Sequence, residues 1–222
     1  MEGALRNIPV AGPSGGGDEG QIVVIRPRVV EDVGHVLGNL FQRIYHLIGQ
    51  ARNPDGGAVA IDQLEASTRR LEDFLQLVID YVSPLYPALQ YVAATDAAQS
   101  LARQISDAVG CPVRVDARLS VEGQLLVDPG RLARSFGLLA MQLRAHPSAD
   151  ESIEVRAVAR PPGRSLTLTA RLPVRWLPAR TTEAEIQWAV AEKFLETHGG
   201  TLEEKPAASG EVLWEIVLPL QS

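Results

Sequence analysis

Two stretches of heptad-spaced apolar residues constrain this 222-residue chain more than any other feature. Within Val29 to Gln50, Val30, Val33, Leu37, Leu40, Ile44 and Leu47 step by 3, 4, 3, 4 and 3. That is the seam of a helix lying lengthwise against another. Val36, Phe41 and Ile48 widen the seam, so the helix has to meet more than one neighbour. Asn53-Pro-Asp-Gly-Gly57 is a strong break. The pattern resumes at Ile61, Leu64, Thr68, Leu71, Leu75, Val78 and Val82, and Pro84 stops it. Two helices of matched length joined by a short loop predict an antiparallel hairpin. A lone hairpin cannot bury such broad faces; pairing with a second copy in a four-helix bundle would. The alternative is packing onto the rest of the same chain.

After Pro87 the periodicity changes. Period-two runs predict strands at Leu89–Ala93, Pro112–Leu119, Gln124–Val127, Ile153–Arg160, Ser165–Leu172, Thr201–Lys205 and Glu211–Pro219. Amphipathic helices are expected over Asp96–Val109, Arg131–His146 and Glu183–His198. Pro161-Pro-Gly163 reads as a hairpin turn. The order β-α-β-β-α-β-β-α-β-β is most economically met by one helical layer on one face of a mixed sheet, an α/β sandwich. The whole is α+β in three parts: a flexible tail (1–28) rich in glycine around Pro13–Gly20, the hairpin (29–84) and the α/β domain (85–222).

Composition removes whole classes of function. Lys+Arg is 21 against Asp+Glu 27, a net charge of -6 with no basic block. Nucleic acid and anionic membrane surfaces are therefore not expected partners. One cysteine, Cys111, excludes an internal disulfide framework and a Cys-based zinc site. No apolar run reaches the length of about 18–20 residues that spans a membrane. Met1–Pro13 lacks a secretory signature, so a cytoplasmic protein is expected. Trp176, Trp188 and Trp214 are too scattered in sequence for a stacking platform.

Three motifs lie along this frame. His35-Val-Leu-Gly-Asn-Leu-Phe-Gln-Arg-Ile44 falls in the first helix, Asp128-Pro-Gly-Arg-Leu132 opens a later one, and Ala189–Gly200 ends in His-Gly-Gly. With the closing Val212–Pro219, they resemble the core of bacterial sensor histidine kinases over roughly residues 29–220. The first resembles the H-box, the second the start of the N-box helix and the third the family's last helix. The resemblance implies a dimerisation and histidine-phosphotransfer hairpin, followed by an ATP-binding domain of the kinase/gyrase/Hsp90 type. It makes His35 the phosphoacceptor. Geometry agrees, because with Val33 and Leu37 in the seam His35 points to water. Asn39, one turn on, is placed to support the ring or the phosphoryl group. Gly38, Asn39 and Gln42 are the expected docking neighbours for a receiver domain. His46 and His146 lack such a setting. His198 reads as a cation at a helix C-terminus, before an αL glycine.

The departures from that family matter as much. The two Asn positions of the N-box helix become Leu138 and Gln142. The glycine-rich run before the last helix becomes Thr181-Thr-Glu-Ala-Glu-Ile-Gln-Trp188, whose Glu183 and Glu185 would repel phosphate. Pro173–Arg180 leaves no room for a nucleotide lid, and Val36 replaces the acidic residue that follows the phosphoacceptor. A chain of this kind is expected to bind no cofactor. It fits a degenerate member closest to the dimeric histidine phosphotransferases, which pass phosphoryl groups between receiver aspartates while the receiver supplies Mg²⁺. The alternative is a non-catalytic pseudokinase, a dimeric docking module for a response regulator or another signalling protein.

Overall fold

The computed structural model describes residues 27–52, 57–83, 86–110, 112–116, 123–143, 153–160, 165–177, 181–207 and 210–221. Residues 1–26 of the expected tail, the Asn53–Gly56 break, Cys111, the Pro161–Gly163 turn and the far end of the Pro112–Leu119 strand lie outside these residues. Pro27 and Arg28, expected in the tail, begin the first helix, and the helix expected over Arg131–His146 already ends at Ala140. The chain divides into two compact units, one ending at Pro84 and the other beginning at Leu85.

The first unit is a helical hairpin of α1 (Pro27–Ala51) and α2 (Gly57–Val82). Its internal seam differs from the expected one. On α2 the buried residues are Ala60, Ser67, Phe74, Leu77 and Tyr81, whereas Ile61, Leu75 and Val82 are exposed. On α1, Val29, Leu40 and Leu47 are buried while Val30 and Phe41 are exposed. α2 therefore carries two adjacent apolar stripes, and the one with Ala60, Ser67, Phe74, Leu77 and Tyr81 is the one that is buried. Ala60 and Ser67 allow a close approach that a seam of large aliphatics would not. Ile61, Leu75 and Val82 remain on the outside.

The second unit carries β1 (Gln90–Ala93), α3 (Ala94–Val109), β2 (Val113–Asp116), β3 (Gln124–Val127) and α4 (Pro129–Ala140). It continues through β4 (Ile153–Arg160), β5 (Ser165–Pro173), α5 (Thr182–Thr197), β6 (Thr201–Pro206) and β7 (Glu211–Pro219). The expected order of elements is the observed one. Five strands form one sheet in the order β2-β4-β5-β7-β6, parallel between β2 and β4 and antiparallel elsewhere. The short β1 and β3 pair with each other in a separate two-stranded ribbon.

Alternation fixes which sheet face is covered. Leu166, Leu168, Ala170 and Leu172 of β5 and Trp214, Ile216 and Leu218 of β7 are buried, while Arg171 between them is exposed. The helices contribute Ala98, Leu101 and Ile105 from α3, Phe136 and Leu139 from α4, and Ile186, Val190 and Leu195 from α5 to the core. Trp188 and Trp214, far apart in sequence, meet edge to face with ring centroids 6.1 Å apart. The uncovered sheet face is held by ion pairs such as Lys205 with Glu203 and Glu215, each at 2.7 Å, which raise the Lys205 pKa above its usual value.

Candidate functional site

His35, Gly38, Asn39 and Gln42 lie at i, i+3, i+4 and i+7 of α1 and all four are exposed on its polar face. The heptad pattern forces this placement, since the two apolar stripes occupy the remaining circumference. Among the described residues the His35 imidazole has no hydrogen-bond partner, and neither of its ring nitrogens is engaged. His46 shares the same face but is tied to Gln50, Nε2 to Nε2 at 3.0 Å. Two exposed histidines on one helix thus differ in availability.

Glycines border His35 on both sides. An added Cβ at Gly34 or Gly38 would meet nothing within 4 Å. Neither residue is required by crowding inside the hairpin, although a mid-helix glycine costs about 1 kcal/mol relative to alanine.

In the second unit, α4 begins at Asp128, whose Oδ1 accepts the Arg131 backbone N–H at 3.0 Å, with Pro129 in the first turn. Leu138 is buried in the core. Gln142 is also buried, and its Nε2 has no partner among the described residues. The Ser135 hydroxyl donates to the Ala191 carbonyl at 3.0 Å, closing α4 onto α5. At the start of α5, the Thr181 hydroxyl accepts the Ala184 N–H at 3.2 Å, and Glu183 and Glu185 occupy the first turn.

The His-Gly-Gly turn has a plain structural cause. Gly199 has φ +70°, and a Cβ on Gly200 would lie 2.7 Å from the Val217 carbonyl oxygen. One glycine supplies left-handed backbone and the other lets the turn press against β7.

His198 corrects the sequence reading. It is buried, and its Nε2 accepts the Asp128 backbone N–H at 3.0 Å. Its Nδ1 lies 2.7 Å from the Phe194 carbonyl oxygen, which fixes the neutral tautomer with the proton on Nδ1. Burial lowers its pKa below 6.5, against the opposing pull of the Phe194 carbonyl and the Asp128 carboxylate. The residue is a neutral bridge rather than a helix-end cation.

Asp128 is the other half of that bridge, a role beyond the helix start that its Asp-Pro-Gly motif implies. Burial pushes its carboxyl pKa up, but backbone N–H groups of Arg131, Ala88 and Gly130 and the Arg131 charge outweigh this and lower it. The signal was split between residues 128 and 198, and only tertiary structure joins them.

Among the described residues, no group of three or more His, Cys, Asp or Glu side chains is placed to hold a metal ion, and no helix is long and apolar enough to cross a membrane. No protein-family model and no curated protein matches the sequence. Solved structures do. The histidine kinase ThkA, solved in complex with the response regulator protein TrrA, superposes with a TM-score of 0.62 at 13% identity, over 88% of this chain and 62% of that one. The histidine kinase AdeS of Acinetobacter baumannii gives 0.52 at 12% identity, over 84% and 95%. Full-length ShkA in complex with AMPPNP gives 0.52 at 15%, over 86% of this chain and 46% of its own. The helical hairpin followed by the α/β sandwich is the fold of the sensor histidine kinase core.

Proposed function

We propose that this chain is a histidine phosphotransferase of two-component signalling, passing a phosphoryl group between receiver-domain aspartates through His35 without ATP. The observation that carries this reading is the exposed imidazole of His35 on the polar face of α1, without a partner among the described residues and with Asn39 one turn away. Neutral imidazole is a competent nucleophile near pH 7. Its attack on an aspartyl phosphate forms an N–P bond, breaks the acyl O–P bond and releases the receiver's carboxylate. An acyl phosphate is already activated, so little is asked of this chain beyond presenting the ring. Mg²⁺ and the remaining catalytic groups belong to the receiver.

The second unit supports an ATP-independent role. The start of α5 is capped by its own Thr181 and carries Glu183 and Glu185, which disfavour phosphate there. Leu138 cannot ligate a metal, and Gln142 is turned into the protein rather than exposed. These residues do not fit nucleotide triphosphate with Mg²⁺.

Receiver domains are the proposed partners, in keeping with the solved ThkA–TrrA pair. Gly38, Asn39 and Gln42 form the proposed docking face around His35, in the cytoplasm where such receivers act. A homodimer through a four-helix bundle is supported by the outer stripe of Val30, Phe41 and Ile48 on α1 with Ile61, Leu75 and Val82 on α2, large apolar side chains left in water by a single hairpin.

Gly38 and Val36 favour a second reading, a docking module without phosphoryl transfer. The test is incubation with a receiver domain phosphorylated by a small acyl phosphate. Acid-labile label is expected on this chain and absent from His35→Ala. Label that survives the substitution rejects His35, and tight receiver binding without label selects the docking module.

A further inference from the structure

One cluster outside the His35 face, part-buried around the buried His198, ties together parts of the chain that are distant in sequence. The segment Tyr86–Leu89, through which the chain passes into β1, has no regular structure of its own. Two bonds to α4 hold it. The Ala88 backbone N–H donates to Asp128 Oδ2 at 2.9 Å, and Arg131 Nη2 donates to the Tyr86 carbonyl at 3.3 Å. Asp128 is thus shared between this segment and the cap of α4, and its own backbone N–H is spent on His198 Nε2. The Arg131 guanidinium lies over the Phe194 ring, 6.0 Å from its centroid, one turn before His198 on α5.

The geometry points to a proton-operated latch: Asp128, Arg131 and His198 clamp the 86–89 segment while His198 is neutral, and uptake of one proton by His198 releases it. The reason is stereochemical. Nε2 of His198 is an acceptor facing an N–H, so a proton there sets two donors against each other. The Asp128 N–H bond has to break. The imidazolium then competes for the Asp128 carboxylate, whose Oδ2 holds Ala88. Both charged groups near the ring bear on this outcome. Asp128, from the loop before α4, attracts the imidazolium, and Arg131, from the first turn of α4, opposes it. From α5 itself the facing group is the Phe194 carbonyl, which keeps the Nδ1 proton throughout.

The segment so held is the one that follows the hairpin unit in sequence, which gives the latch something to regulate. Its release frees residues 86–89 of the second unit from α4. This assignment does not depend on whether His35 accepts phosphate.

Amide exchange and side-chain NMR on the intact chain test it. From pH 8 to pH 5, the Ala88 amide should lose protection by about tenfold per pH unit once below the His198 midpoint, beyond the change in intrinsic exchange. In the wild-type chain the Ala88 amide and the His198 ring carbons should titrate with one midpoint. His198→Gln, which keeps an acceptor but cannot titrate, should hold Ala88 protection constant. Separate midpoints, no pH effect on Ala88, or an equal effect in His198→Gln would overturn the latch. The wild-type midpoints decide the matter even where the variant is unstable.

Discussion

The hairpin and the α/β unit bury their apolar residues to different degrees, and the difference separates a finished fold from a half-finished one. In the α/β unit the inward face of the sheet and the facing helices are sealed, with Phe136, Leu139, Ile186, Leu168 and Ile216 fully buried. In the hairpin one stripe is closed, and Phe41 and Leu75 are 45% and 41% exposed. The hairpin leaves large aliphatic and aromatic residues on its outside, whereas the inner sheet face of the other unit leaves none.

That contrast breaks most readily in the core. Phe136→Ala should cost the α/β unit about 3–5 kcal/mol, read as a lower midpoint in denaturant. A loss below about 1 kcal/mol would mean that the sandwich is not closed there. The hairpin stripe gives the next largest effect. Phe41→Ala removes a side chain that full burial stabilises by about 1.5–3 kcal/mol, so a stripe-mediated dimer should weaken at least tenfold in sedimentation. The helical content of the hairpin should be unchanged. An unaltered association constant would leave the stripe facing something other than a second copy. Smallest is Gly38→Ala, which should stabilise α1 by up to about 1 kcal/mol because the added methyl meets nothing within 4 Å. If receiver binding falls at the same time, the glycine is there for the partner.

Most element boundaries were legible in the sequence, because strand alternation and proline or glycine stops are local signals. Glu211–Pro219 and Gln124–Val127 are observed over the residues expected. The hairpin seam was harder. α2 carries two overlapping heptads that share Leu64, Leu71 and Val78; one adds Ile61, Leu75 and Val82, and the buried one adds Ala60, Ser67, Phe74 and Tyr81. The small Ala60 and Ser67 interrupt the apolar run in sequence yet let the helices approach closely, so hydrophobicity alone does not pick the buried stripe. The His35 face was readable as the side left over from the seams. The Asp128–His198 bridge was not, since it joins positions 70 residues apart by a backbone N–H that no motif encodes.

The position of β7 between β5 and β6 has a consequence for how the molecule is made. During synthesis the hairpin emerges before the α/β unit and can form from local contacts, its outer stripe uncovered. The sheet has to wait, because its interior strand is the last to be translated. Until Glu211–Pro219 arrives, β5 presents an open edge and β6 has no neighbour to pair with. The nascent chain therefore exposes the outer apolar stripe of its hairpin before its second unit is able to close.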